Sequence, residues 1–218
     1  MRMLRIVSLF VFVLVTVGAP DAFAQKVSKA QAYYDEAMEF LAMQEEPFSR
    51  ENIMKAVVLY ENAIAADKNF TLAYEQLASE YWSLGDQDKG MAIIDAGIEN
   101  NKEAASLYLM KGMLLEDKQQ FDEAKALYKK AQELYIKQYK PKKRMSFEEV
   151  FNFALTYYLL ENQEAAINKF TALAKNGAFS DDDYEWFYPL GIDTLSDFDI
   201  ADYVAQSVTN KYGFKEEM

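Results

Sequence analysis

Residues 56–69 read AVVLYENAIAADKN, and the pattern that begins there returns twice. Residues 90–98 read GMAIIDAGI and residues 124–132 read AKALYKKAQ. Ala56, Gly90 and Ala124 therefore stand 34 apart, as do Tyr60, Ile94 and Tyr128, and again Ala63, Gly97 and Ala131. Within a copy the columns are spaced i, i+4, i+7, which puts a small, a large and a small residue on one helix face. The register continues upstream, pairing Tyr74 with Tyr108, Ala78 with Gly112 and Tyr81 with Leu115. A fourth copy follows an eight-residue insertion, with Val150, Phe153, Ala154 and Tyr157, then Ala166, Phe170 and Leu173. Small residues let one helix approach another closely while aromatics fill the remaining space. A single helix pair cannot bury such a face alone, so neighbouring pairs must stack.

On these columns the chain resembles a tetratricopeptide repeat protein. Tyr74, Leu77, Ala78 and Tyr81 followed by Gly90, Ile94 and Gly97 match the family pattern in one copy; Tyr108, Gly112, Leu115, Ala124, Tyr128 and Ala131 match it in the next. Lys68, Lys111 and Gly97 depart from it at positions where the family has Pro, an apolar residue and Ala. The resemblance implies an all-α fold, an α-solenoid of about four TPR-like helix hairpins with C-terminal capping helices. The repeat region would run over 25–177, with repeats at about 30–68, 71–102, 105–138 and 147–177, and the caps over 178–218. The first copy is irregular: Tyr33, Ala37 and Phe40 sit at helical spacing, but MQEEPFSREN then makes a long loop in which Pro47 and Ser49 end one helix and begin another. Gly177, Pro189, Gly191 and a helical pattern over 197–211 point to the capping helices.

Family geometry also implies which side chains face the groove of the superhelix. They are Glu75, Ser79 and Trp82 in one copy, Leu109, Met113 and Glu116 in the next, and Phe151, Leu155 and Tyr158 in the last. The implied partner is a protein or peptide segment, since Trp, Tyr and Met are residue types that anchor interfaces. The surface lacks the Lys, Asn and Arg set with which some family members clamp a peptide carboxylate. The competing reading packs these side chains against the next helix or the C-terminal helices.

Composition narrows the chemistry. The chain has 218 residues and neither His nor Cys, which removes disulfides, thiol nucleophiles, imidazole bases and the usual zinc, iron-sulfur and haem ligands. No cofactor and no metal site is expected. Gly85 to Gly90 has phosphate-loop glycine spacing, but Met91 and Ala92 stand where Lys and Ser or Thr are required, and Asp86 and Asp88 repel phosphate. The acidic run at 181–183 with Glu185 reads as a helix start capped by Ser180, and Ser146 with Glu149 and Ser196 with Asp199 read in the same way. No catalytic residues stand out. A carboxylate enzyme acting on glycans would need one acidic pair at a defined separation, and nothing selects one.

The first 24 residues read as a cleaved signal peptide. Arg2 and Arg5 form a positive start, residues 6–17 are apolar apart from Ser8 and Thr16, and Ala22-Phe23-Ala24 supplies small residues for cleavage. The expected mature chain is exported, periplasmic or secreted, and soluble. With no integral membrane segment and no Cys to carry a lipid, it is not a lipoprotein. Cleavage takes two Arg and one Asp from 23 basic and 35 acidic residues, leaving a formal charge of −13, which argues against nucleic acid. One cluster stands against that background. Residues 137–144 read KQYKPKKR, and Lys140, Lys142, Lys143 and Arg144 read as a solvated loop or as a docking patch for an anionic partner. The leading functional expectation is a non-catalytic scaffold or adaptor. The alternative is an accessory component of an envelope transport or assembly system docking through the basic insertion. Self-association through an exposed end, giving a homo-oligomer, is left open.

Overall fold

The computed structural model describes residues 28–43 and 49–200, with the side chains at 181 and 182 excepted. The signal segment, the loop at 44–48 and most of the expected 197–211 helix lie outside the described residues. All regular structure among the described residues is helical: α1 (Lys29–Ala42), α2 (Arg50–Ala66), α3 (Thr71–Ser83), α4 (Gln87–Asn100), α5 (Ala105–Asp117), α6 (Phe121–Gln138), α7 (Phe147–Leu160), α8 (Gln163–Leu173), a π-helical turn (Ala174–Ala178) and α9 (Asp181–Ser196). Consecutive helices pair across short connections as α1–α2, α3–α4, α5–α6 and α7–α8, the hairpin arrangement of an all-α TPR-like solenoid. The described residues fall into two compact units that divide after Asn100.

In the first unit α2 packs on both α1 and α3. Its core gathers Ala37, Leu41, Ala56, Val57, Tyr60, Leu77 and Tyr81, joining the sequence columns of two copies. Hydroxyls within this core are hydrogen-bonded: Tyr60 donates to Met38 Sδ at 3.1 Å and Tyr81 to Glu61 Oε1 at 3.1 Å. The small-residue column has the anticipated consequence. A Cβ on Gly90 would lie 2.9 Å from the Ala78 carbonyl oxygen, so α4 sits against α3 at a distance that only glycine permits. Serines begin the first two helices, Ser28 accepting from the Gln31 amide and Ser49 from the Asn52 amide, each at 3.1 Å.

The α3–α4 turn is the segment with phosphate-loop glycine spacing. Gly85 takes φ 84°, its amide donates to Trp82 O at 2.9 Å, and the Asp86 amide donates to Tyr81 O at 2.8 Å, which satisfies carbonyls at the end of α3. Asp86 Oδ1 then accepts from the Lys89 amide at 3.2 Å and caps α4. The same turn recurs 34 residues on with glutamine in place of glycine. Gln119 holds φ 61°, its amide donates to Glu116 O, and the Gln120 amide donates to Leu115 O, both at 2.8 Å. A residue with a Cβ is strained in this left-handed region. Gln119→Gly should therefore stabilise the chain by roughly 1 kcal/mol, read as a higher midpoint in urea with an unchanged slope.

The second unit stacks α7 on α6 and lays α9 over α8. Gly112 is again a contact point, because a Cβ there would overlap the Tyr128 ring. Tyr128 donates to Glu116 Oε2 at 2.7 Å, tying α6 to α5. Ser146 and Glu149 form a complete capping box at the start of α7: the Glu149 amide donates to Ser146 Oγ at 3.1 Å, and the Ser146 amide to Glu149 Oε2 at 2.8 Å. Ser180 caps α9 by accepting from the Asp183 amide at 3.1 Å. Ser196 instead closes α9, and residues 197–199 are not helical. Pro189 lies inside α9, where it removes the helical donor to the Glu185 carbonyl without ending the helix. At Gly191 a Cβ would overlap the Phe170 ring, so α9 rests directly on that aromatic of α8.

Candidate binding site

The nine side chains assigned to the groove occupy one face of each of three helices, as their i, i+4, i+7 spacing requires. Most of them differ from an open lining. On α3, Trp82 is 1% exposed and Ser79 is buried, while Glu75 is half-buried. On α5, Leu109 and Met113 are buried, and the half-buried Glu116 accepts the Tyr128 hydroxyl. On α7, Leu155 is fully buried, Phe151 is nearly so, and Tyr158 is half-buried. Large apolar groups that reach buried neighbours gain more from helix packing than from facing water. Trp82, Leu109 and Leu155 therefore present no surface to a partner in this conformation, and packing takes the place of the open lining read from family geometry.

The α7 positions face a different occupant. The polypeptide leaving α9 runs across them, and the Tyr158 hydroxyl donates to the Phe198 carbonyl oxygen at 2.9 Å. The Phe198 ring meets Tyr158 edge-on, with centroids 5.0 Å apart at 76°, and Phe151 at 6.3 Å and 62°. From the first turn of α8, Gln163 Nε2 donates to Leu195 O at 3.2 Å and to Ser196 O at 2.5 Å. Two side chains thus hold three consecutive-region carbonyls while an aromatic pair holds one phenylalanine ring. Gln163 escaped the sequence reading because its role depends on where the chain returns, 32 residues later.

The basic insertion forms a turn in which the Lys143 amide donates to Lys140 O at 3.0 Å and Lys142 takes φ 65°. Its base is fixed to the π-helical turn: the Met145 amide donates to Ala178 O at 3.0 Å, and Arg144 Nη1 to Gly177 O at 3.4 Å. Lys140, Lys142, Lys143 and Arg144 are all exposed. A further cation lies inward. Lys169 of α8 is half-buried with its ammonium 4.0 Å from the centroid of Phe153, and Tyr157 and Tyr139 flank it at 5.2 and 5.7 Å. Burial pulls its pKa below the ordinary lysine value.

The tetratricopeptide repeat family matches residues 72–103, which span α3 and α4, and residues 105–135, which span α5 and most of α6. The chain carries two tetratricopeptide repeats. No curated protein matches it significantly. TPR hairpins generally mediate protein–protein interaction, and the TPR fold is typically a non-catalytic scaffold. Among the described residues, no helix of this TPR chain is long and apolar enough to cross a membrane.

Proposed function

We propose that this chain is a non-catalytic adaptor of the cell envelope that holds a protein segment against its helix hairpins. Two consecutive TPR matches on paired helices carry this reading, because helix hairpins of this kind offer faces on which a partner chain can lie. The composition supports it, since a chain without His and Cys lacks the commonest catalytic and metal-binding side chains. The envelope assignment is supported by the apolar run at 6–17 between a basic start and the small residues at 22–24. Of the assigned groove positions, Glu75 in the first unit and Glu116 and Tyr158 in the second are half-buried and keep part of their surface exposed.

A second reading has its own observation. Lys140, Lys142, Lys143 and Arg144 are exposed together on a chain of strong negative charge, which suits docking on an anionic partner within an envelope assembly. One experiment addresses both. Affinity capture from a native envelope extract should retain a defined protein on the chain beginning at Gln25. Reversing the four cations to Glu should leave that protein bound if the hairpins hold it and release it if the loop does. Capture of nothing above background by either version overturns the adaptor reading.

A further inference from the structure

Residues 195–198 sit on α7 and α8 in the way a bound peptide would. Three features make the resemblance specific. Helix α9 ends at Ser196, so the carbonyls of its last turn and of the non-helical residues after it are open to side-chain donors, which Gln163 and Tyr158 supply. The Phe198 ring is 9% exposed, seated between Tyr158 and Phe151 in edge-to-face geometry. The receiving residues lie on two rigid helices of one hairpin, held by the capping box at Ser146 and by Asn162, which accepts from the Ala165 amide at 2.9 Å. Gln163 holds the last-turn carbonyls of α9 at residues 195 and 196, and Tyr158 holds the Phe198 carbonyl beyond it, so the contacts are to main chain and do not depend on sequence.

We propose that this hairpin carries a binding site for a protein segment that presents a phenylalanine just beyond a helix end, and that the chain's own Phe198 occupies it as an internal competitor. The proposal rests on the adaptor reading above and names the chemistry of its partner: one aromatic anchor with free backbone carbonyls on its N-terminal side. A tethered competitor acts at a high effective concentration, on the order of millimolar for a short connection. A partner must displace it or wait for it to leave, so the site is self-inhibited. The segment is suited to leaving, since its anchor is one ring and a few hydrogen bonds at the end of a helix.

The test supplies the segment in trans. A fluorescein-labelled peptide of residues 195–200, LSDFDI, is titrated against the full mature chain and its Phe198→Ala variant. The variant should bind the peptide at least tenfold more tightly than the unaltered chain. Adding Tyr158→Ala and Gln163→Ala to it, or replacing the peptide's phenylalanine by alanine, should weaken binding at least tenfold. Equal affinity for both chains, no binding to Phe198→Ala with helicity intact by circular dichroism, or indifference to Tyr158 and Gln163 overturns the proposal. Should Phe198→Ala fail to fold, amide hydrogen exchange on the unaltered chain decides. The amides of 196–199 must exchange faster than those of α8, and equal protection overturns a displaceable segment. Failure here with successful envelope capture removes this site and leaves the adaptor reading standing, while the opposite pair of results does the reverse.

Discussion

Phe170→Ala should lower the stability of the second unit by roughly 3–5 kcal/mol, the cost of emptying a fully enclosed aromatic site. Phe170 has no exposed surface and lies where three elements meet. Its ring centroid is 6.1 Å from Phe147 on α7, 6.0 Å from Phe179 beyond the π-helical turn, and 6.4 Å from Tyr188 on α9. The backbone of α9 approaches the same ring at Gly191, so closely that no Cβ fits between them. Truncation leaves a cavity that α9, Pro189 included, cannot collapse into without moving as a whole. Thermal melting followed by circular dichroism should show a midpoint lower by on the order of 15 °C or more. Phe170→Leu should cost less than about 1.5 kcal/mol, because volume is nearly kept. The substitution has a second readout. As α9 loosens, residues 195–198 lose the helix that delivers them to Tyr158, and the 195–200 peptide should bind more tightly. A Trp186→Ala control, at a side chain 79% exposed, should change stability by less than about 0.5 kcal/mol.

Phe170 also marks how far the sequence could be read. Its column with Ala166 and Leu173 was visible because the repeated pattern, resumed after the eight-residue insertion, exposes buried positions without any knowledge of contacts, and the 34-residue register does the same for Ala78, Gly90, Gly112 and Tyr128. Capping was legible for a local reason, since Ser146 with Glu149 and Ser180 with Asp183 make their hydrogen bonds within three residues. What failed to show was set by contacts at a distance. The groove assignment gave Trp82 and Leu155 a direction, but a direction does not say whether something already lies there. Gln163, Leu195 and Phe198 follow no repeat column, because they serve one return of the chain and not every hairpin. Gln119 gave no sign of its left-handed backbone because its counterpart glycine at 85 carries that signal alone.

Raising the pH from 10 to 12 should destabilise the chain by roughly 1.4 kcal/mol per pH unit for each tyrosine that stays protonated in the fold. Among the described residues, Tyr60 in the first unit and Tyr128 in the second are the most strongly shifted, and burial raises Tyr74 and Tyr157 as well. Burial raises the Tyr60 and Tyr128 pKa values far above the ordinary 10.0, with the charge of Glu80 adding to the effect at Tyr60, and the hydrogen bond and charge of Glu116 adding to it at Tyr128. The folded state therefore binds more protons than the unfolded state above pH 10, so the tyrosine contribution is flat below that value and is lost as pH rises through it. Lys169 has the opposite sign. Its depressed folded pKa makes stability rise with pH, and that gain is complete near the ordinary lysine value of 10.5, so it cannot mask the decline beyond. Progressive loss of the other lysine charges adds a general repulsion, which tyrosine-to-phenylalanine variants do not alter. Tyr60→Phe gives up the contact to Met38 and Tyr128→Phe the bond to Glu116, each costing about 0.5–1.5 kcal/mol at pH 7. Above pH 10 each variant should lose stability less steeply, by roughly 1.4 kcal/mol per pH unit in its own unit, so that by about pH 12 it overtakes the unaltered chain. Urea titrations at pH 8, 10, 11 and 12 measure the slopes. Parallel pH profiles for the variants and the unaltered chain would show that the two phenols ionise in the fold and that their burial does not resist alkali.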